Sequence, residues 1–96
     1  MSESLLNPED ERLCGLLTEL VKALVDAEKD VRVEVLSAPE TITLRLHVAE
    51  SDVGKLIGRQ GHTARSLRTI LSAIGMKYKR RYALDIVGAH PSGHSR

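Results

Sequence analysis

Two glycines bracket two long polar side chains at Gly58-Arg59-Gln60-Gly61, with the apolar pair Leu56-Ile57 just before them and a helical pattern just after. Glycine reaches backbone conformations closed to other residues and lets another molecule's backbone come close. A turn that delivers the chain into a helix leaves the first amides of that helix without partners. Those donors and the helix dipole together favour an anion. Arg59 would add a fixed positive charge at the same spot, and Gln60 an amide. The chemistry that this spacing suits is the holding of a phosphodiester backbone. It does not suit nucleotide hydrolysis or hydride transfer. Gly54, Gly58 and Gly61 have neither the spacing of a Walker-type phosphate loop nor that of a dinucleotide Gly-x-Gly-x-x-Gly. The serines and histidines come with no nucleophile elbow and no paired carboxylates, so no catalytic residue and no enzyme activity are expected.

The charge distribution agrees with an anionic partner. Residues 1–50 carry 5 Lys and Arg against 11 Asp and Glu, a net of −6, whereas residues 51–96 carry 9 against 2, a net of +7. The formal charge of +1 therefore hides a basic half that holds the glycine turn. A polyanion-binding surface leaves such a footprint, and so do two solvated faces of opposite sign. A chain of 96 residues forms one domain with a small core, and 42% hydrophobic with 28% charged residues is the make-up of a soluble globular protein. The single cysteine, Cys14, excludes an internal disulfide and a multi-cysteine metal site, and it makes a reducing cytoplasm the expected compartment. The N-terminal residues lack the basic flank and apolar run of a signal peptide. No window is long enough to span a bilayer, so no membrane partner is expected.

The elements that must position the turn are legible in the hydrophobic period. Asn7-Pro8-Glu9-Asp10 is a helix start with a capping side chain, a proline at the first helical position and acids in the first turn. Leu13, Leu16, Leu17, Leu20, Val21, Leu24 and Val25 then recur as one broad stripe on a helix of about five turns, expected to end near Ala27 to Lys29 and to pack on a sheet. Cys14 beside it reads as a small packing residue. Val31, Val33 and Val35 alternate with charges, and Ile42, Leu44, Leu46 and Val48 alternate with polar residues. These are two half-buried strands, joined by Ser37-Ala38-Pro39-Glu40 as an antiparallel hairpin. His47 falls on the polar phase and reads as a solvated strand histidine. Ser51 or Asp52 can cap a short helix through Ile57 that ends at Gly58.

After Gly61 a second helix carries Ala64, Leu67, Leu71 and Ile74 on one face, supported by Ile70, with Gly75 placed to end it. Met76-Lys77-Tyr78-Lys79-Arg80 follows as a basic connector, and Tyr82, Leu84 and Ile86 give a third strand. The expected division is a flexible N-terminus at 1–6, one domain at 7–87 and a mobile tail at 88–96. His90 and His94 are spaced for a metal on a helix, but Pro91 and Gly93 break that helix. No metal and no cofactor are expected.

The order helix, strand, strand, short helix, glycine turn, helix, strand gives an α+β domain, with one three-stranded sheet and three helices on one face. The run Gly54-Lys55-Leu56-Ile57-Gly58-Arg59-Gln60-Gly61-His62-Thr63-Ala64-Arg65-Ser66-Leu67-Arg68 resembles the signature of KH domains, in which an Ile-Gly pair leads into a Gly-x-x-Gly loop between two helices. The α-β-β-α-α-β order is similar to the type II arrangement. The resemblance covers roughly residues 7–87, and the acidic first helix and the basic Lys77-Tyr78-Lys79-Arg80-Arg81 segment are similar to the KhpA-like family of single-domain bacterial KH proteins.

That resemblance implies a cytoplasmic single-stranded RNA binder that forms a homodimer or pairs with a larger KhpB-type KH protein. It also implies a loop that clamps the backbone of about four nucleotides. Matched residue by residue, Gly58 and Gly61 would admit the backbone, and Arg59 and Gln60 would touch phosphate. Lys55, Arg65 and Arg68 would extend the contact, and Ile57, Ala64 and strand residues near Leu46 would floor an apolar groove. Lys77, Lys79, Arg80 and Arg81 would widen the positive surface or form a solvated basic turn. With Tyr78 and Tyr82 as the only aromatics, base stacking on aromatic platforms is disfavoured and low sequence selectivity is expected. The competing readings are a dimerising interaction module that uses the loop and its flanking helices, and a single-stranded DNA binder.

Overall fold

The computed structural model describes residues 7–89. Asn7 Oδ1 accepts the amide of Asp10 at 3.0 Å, and Pro8 opens helix α1, Pro8–Leu24. There follow β1 (Arg32–Ser37), β2 (Ile42–Ala49), the short α2 (Val53–Ile57), α3 (His62–Tyr78) and β3 (Tyr82–Ala89), so the element order is the expected one. The sheet runs β1-β2-β3, with β1 antiparallel and β3 parallel to the central β2. Ile42, Leu44, Leu46 and Val48 of β2 are buried, in one cluster with residues from all three helices, which places the helices on a single face. The domain is therefore the α+β, three-strand, three-helix fold of a KH domain.

The opposite face of the sheet holds the polar alternates. Arg45 and Asp85 pair at 3.1 Å across β2 and β3, and His47 pairs with Glu34 at 2.9 Å. His47 is thus largely covered rather than solvated, and its hydrogen bond holds the Glu34 carboxyl below the ordinary carboxylate range.

Helix α1 stops earlier than its apolar stripe suggests. Val25 turns to extended backbone (φ −107°, ψ 166°), and the departing chain is held by Asp52, whose carboxylate accepts the amides of Asp26 at 3.2 Å and Ala27 at 3.0 Å. Asp52 is buried in this role and makes no capping bond to α2. The stripe itself divides. Leu13, Leu17, Val21 and Val25 enter the core, while Leu16, Leu20 and Leu24 stay 58%, 43% and 41% exposed.

Helix α3 passes Gly75 and ends three residues later, so most of the expected connector is its last turn. Lys79 in the left-handed region (φ 59°, ψ 43°) makes the reversal, and the amides of Lys79 and Arg80 both donate to the Gly75 carbonyl. A Cβ at Gly75 would run into the Arg80 carbonyl and sit 3.4 Å from the Tyr82 ring. The glycine is therefore needed by the returning chain and not as the stop itself. Ile70, on the other side of the helix, is half exposed and gives the core row no support.

The corner between α3 and β3 is tied to the start of α1. Asp10, 2% exposed, accepts a guanidinium bond from Arg80 and the hydroxyl of Tyr82, each at 2.6 Å. Arg80 is accordingly a structural cation, not part of a free basic surface. Burial, reinforced by Asp10, pushes the Tyr82 phenol well above its ordinary range. At the other terminus β3 pairs with β2 through Ala89, two residues beyond the expected boundary. Residues 1–6 and the His90 and His94 pair lie outside the described residues.

Candidate nucleic-acid interface

Leu56, fully buried, anchors α2, and Gly58 N–H closes that helix by donating to the Gly54 carbonyl at 2.9 Å. Gly58 then takes φ 79°, ψ 170°, a region open to glycine alone. A side chain there would also meet Thr63, whose backbone nitrogen would lie 2.8 Å from the new Cβ. The turn closes with Gly61 N–H donating to the Gly58 carbonyl at 3.0 Å. Gln60 (φ 57°, ψ 24°) and Gly61 (φ 77°, ψ 13°) both lie in left-handed conformation. For Gln60 that geometry costs roughly 1–2 kcal/mol, and strain of this kind gathers at ligand clamps. The two glycines do different work. Gly58 lets α3 pack against the turn. Gly61 faces open space, its nearest neighbour for a Cβ being an Arg65 guanidinium nitrogen at 3.9 Å.

Because Gly61 stands at the N-cap of α3, no side chain caps that helix. The His62 amide is taken by the Arg59 carbonyl, so the first-turn donors after it and the positive end of the dipole are what an outside anion would meet. Around them the structure places the five charged or amide side chains singled out by sequence. Arg59 and Gln60 are exposed on the turn. Lys55 on α2 is paired with Asp26 at 3.5 Å; both side chains are exposed, so the pair is worth little and can be exchanged for phosphate. Arg65 leans over Gly61. Arg68 is committed in part, its guanidinium donating across to the Leu84 carbonyl at 3.3 Å.

Of these five, Arg65 and Arg68 line an open groove of about 510 Å³, together with Ile57, Gly61, Ala64 and, from β3, Asp85 and Ile86, whereas Lys55, Arg59 and Gln60 do not line it. Ile57 and Ala64 line it as expected. Leu46 does not. It has no exposed surface, because β2 is the central strand and the sheet edge beside α3 belongs to β3. Ile86 takes its place, with Asp85 neutralised by Arg45.

The edge of β3 brings polar groups to the same wall. Ile42 N–H donates to the Arg81 carbonyl, and the pairing is parallel, so Arg81, Ala83, Asp85 and Val87 turn their backbone groups toward β2. Tyr82, Leu84 and Ile86 turn theirs outward. Arg68 takes the Leu84 carbonyl, and the Ile86 N–H and C=O remain unpartnered among the described residues. The groove thus joins a basic, donor-rich rim to an apolar wall with one backbone donor–acceptor pair. Among the described residues no helix is long and apolar enough to cross a membrane, and no cluster of three or more His, Cys, Asp or Glu is placed to hold a metal ion.

Comparison with known proteins matches the sequence of this chain to one family. Residues 15–86 match the family model for the KH domain of KhpA/KhpB. The chain is 44% identical over 72 residues to the RNA-binding protein KhpA of Borreliella burgdorferi, covering 75% of this chain and 88% of that protein. Identity to the protein of the same name from Aquifex aeolicus is 46% over 66 residues, covering 69% and 84% of the two chains. For that of Bacillus subtilis it is 39% over 77 residues, covering 80% and 95%.

Proposed function

This chain belongs to the KhpA/KhpB family of KH domains, and from that premise and the loop geometry we propose that it is an RNA-binding protein that clamps single-stranded RNA at Gly58–Gly61. The observation that carries the reading is the uncapped N-terminus of α3 behind a strained turn with Arg59 and Gln60 exposed on it. A phosphate seated there accepts the first-turn amides that follow His62 and pairs with Arg59, while Lys55 releases Asp26 to join it. Arg65 and Arg68 meet the neighbouring phosphates along the rim. Bases lie against Ile57, Ala64 and Ile86, where the free Ile86 N–H and C=O offer one pair of hydrogen bonds to a base edge.

A groove with no aromatic platform and one backbone pair discriminates weakly between bases. Low selectivity of this kind suits a cytoplasmic RNA chaperone or post-transcriptional regulator rather than an enzyme or a sequence-specific reader. Modest affinity per site gains from linking sites. Ile70, 50% exposed on α3, favours a homodimer or a heterodimer with a KhpB-type KH protein as the way two grooves are joined.

Fluorescence anisotropy of a labelled single-stranded RNA pool, with a matched DNA pool and a salt series, tests the reading. RNA binding is expected to weaken with salt at a log–log slope of about −0.7 per phosphate held. Absence of binding at low salt contradicts the reading and leaves α3 as a protein-interaction face. Equal binding of the DNA makes the clamp a general single-strand binder.

A further inference from the structure

The α3–β3 seam does not end at the loop. At the C-terminal end of α3 a second hollow of about 300 Å³ opens between Ser72, Met76, Lys79, Arg81 and Tyr82, floored by Gly75, which carries no side chain. No carboxylate lines it. Arg80 at its rim is neutralised by Asp10, but Lys79 and Arg81 make no ion pair among the described residues, and both also line the adjoining hollow beside the β1–β2 loop. That neighbour contains Glu40, while the Asp10 carboxylate at this corner is taken up by Arg80 and Tyr82. The negative end of the α3 dipole accounts for Lys77 in the last turn, whereas Arg81 stands beyond its reach. Lys79 is held in left-handed backbone (φ 59°) at the reversal, on the hollow's rim.

The two hollows lie on one line. Ala64 and Ile86 mark the upper, the Arg68–Leu84 bridge crosses the middle, and Ser72 and Tyr82 mark the lower. The rise of α3 separates Ala64 from Ser72 by about 12 Å, and Gly61 of the turn from Lys79 by about 27 Å. We propose that Lys79 and Arg81 form a second phosphate-binding site, to which an RNA strand held by the glycine turn continues along the seam. This rests on the RNA-binding reading above. It adds that the footprint extends beyond the roughly four nucleotides of the upper groove. Arg68, at the crossing, lies under the path between the two sites.

The test compares oligouridines of four and twelve nucleotides over a salt series for three proteins: wild type, Lys79→Asn with Arg81→Gln, and Arg59→Asp with Gln60→Asp. Asparagine tolerates left-handed backbone, so the first variant keeps the reversal. For wild type the salt slope is expected to be steeper with the longer strand. In the Lys79→Asn, Arg81→Gln variant the slope for the longer strand falls by about 1.4, two phosphate contacts, and affinity falls on the order of tenfold, with the short strand unaffected. Slope is the deciding quantity, because a longer strand also offers more binding registers and gains affinity without a new contact. An unchanged slope and affinity for the longer strand in that variant overturns the second site while leaving the clamp standing. Failure of wild type to bind either strand overturns both.

Discussion

Arg59→Asp combined with Gln60→Asp is expected to weaken single-stranded RNA binding on the order of 100-fold while leaving the fold intact. Loss of the guanidinium removes a charge-assisted bond worth about 2 kcal/mol, and two carboxylates at the turn add repulsion of similar sign. The fold should not suffer. Both residues are exposed, aspartate is among the few residues that visit left-handed backbone, and a negative charge beside the uncapped N-terminus of α3 complements the helix dipole. The field that would draw phosphate therefore also welcomes the introduced carboxylates, which occupy the amides in its place. Circular dichroism and a thermal melt should match wild type while anisotropy loses its signal. Retained affinity in a folded variant would remove the turn from the binding surface.

Asp10→Ala is expected to destabilise the domain by about 3 kcal/mol, lowering the melting temperature by roughly 15 °C. The carboxylate is buried and accepts bonds from Arg80 and Tyr82, so its removal leaves a cation and a hydroxyl without partners at the joint of α1, α3 and β3. Arg80 retains some solvent contact, which holds the estimate at the low end for a broken buried pair. Tyr82→Phe, which removes one bond and strands no charge, should cost about 1 kcal/mol. The phenol supplies a further readout. Its pKa is raised by burial and by Asp10, so its contribution to stability is whole below the ordinary tyrosine value of about 10 and is lost as pH rises above it. Denaturation of the two variants and wild type decides the matter. Equal losses for Asp10→Ala and Tyr82→Phe would mean that the ion pair contributes nothing beyond its hydrogen bond.

Much of the architecture was legible because its period is strong. The alternation of β2, the cap at Asn7 and the glycine turn each rest on neighbours in sequence, and the structure places all three as expected. What escaped depends on distant partners. Asp10 looks like an ordinary first-turn acid, and Arg80 like one cation in a basic run, until the fold brings residues 70 apart into contact. Asp52 looks like the cap of the helix that follows it, yet it serves the chain that has just left α1. Gly75 carries the signal of a helix stop, but close packing against Arg80 demands a glycine at the same position. The groove shows the same division. Its rim residues follow from the loop motif, whereas the identity of the strand wall, Ile86 and not Leu46, depends on which strand lies at the sheet edge. A period-two pattern carries no information on strand order.

The measurement that bears most directly on the clamp is a map of backbone amide chemical shifts as a tetranucleotide RNA is titrated into isotopically labelled protein. The largest perturbations are expected at the amides of Gly58 to Arg65 and at Ile86, with the Glu34 and His47 face of the sheet unmoved. Perturbations centred on that opposite face, with the turn silent, would contradict it.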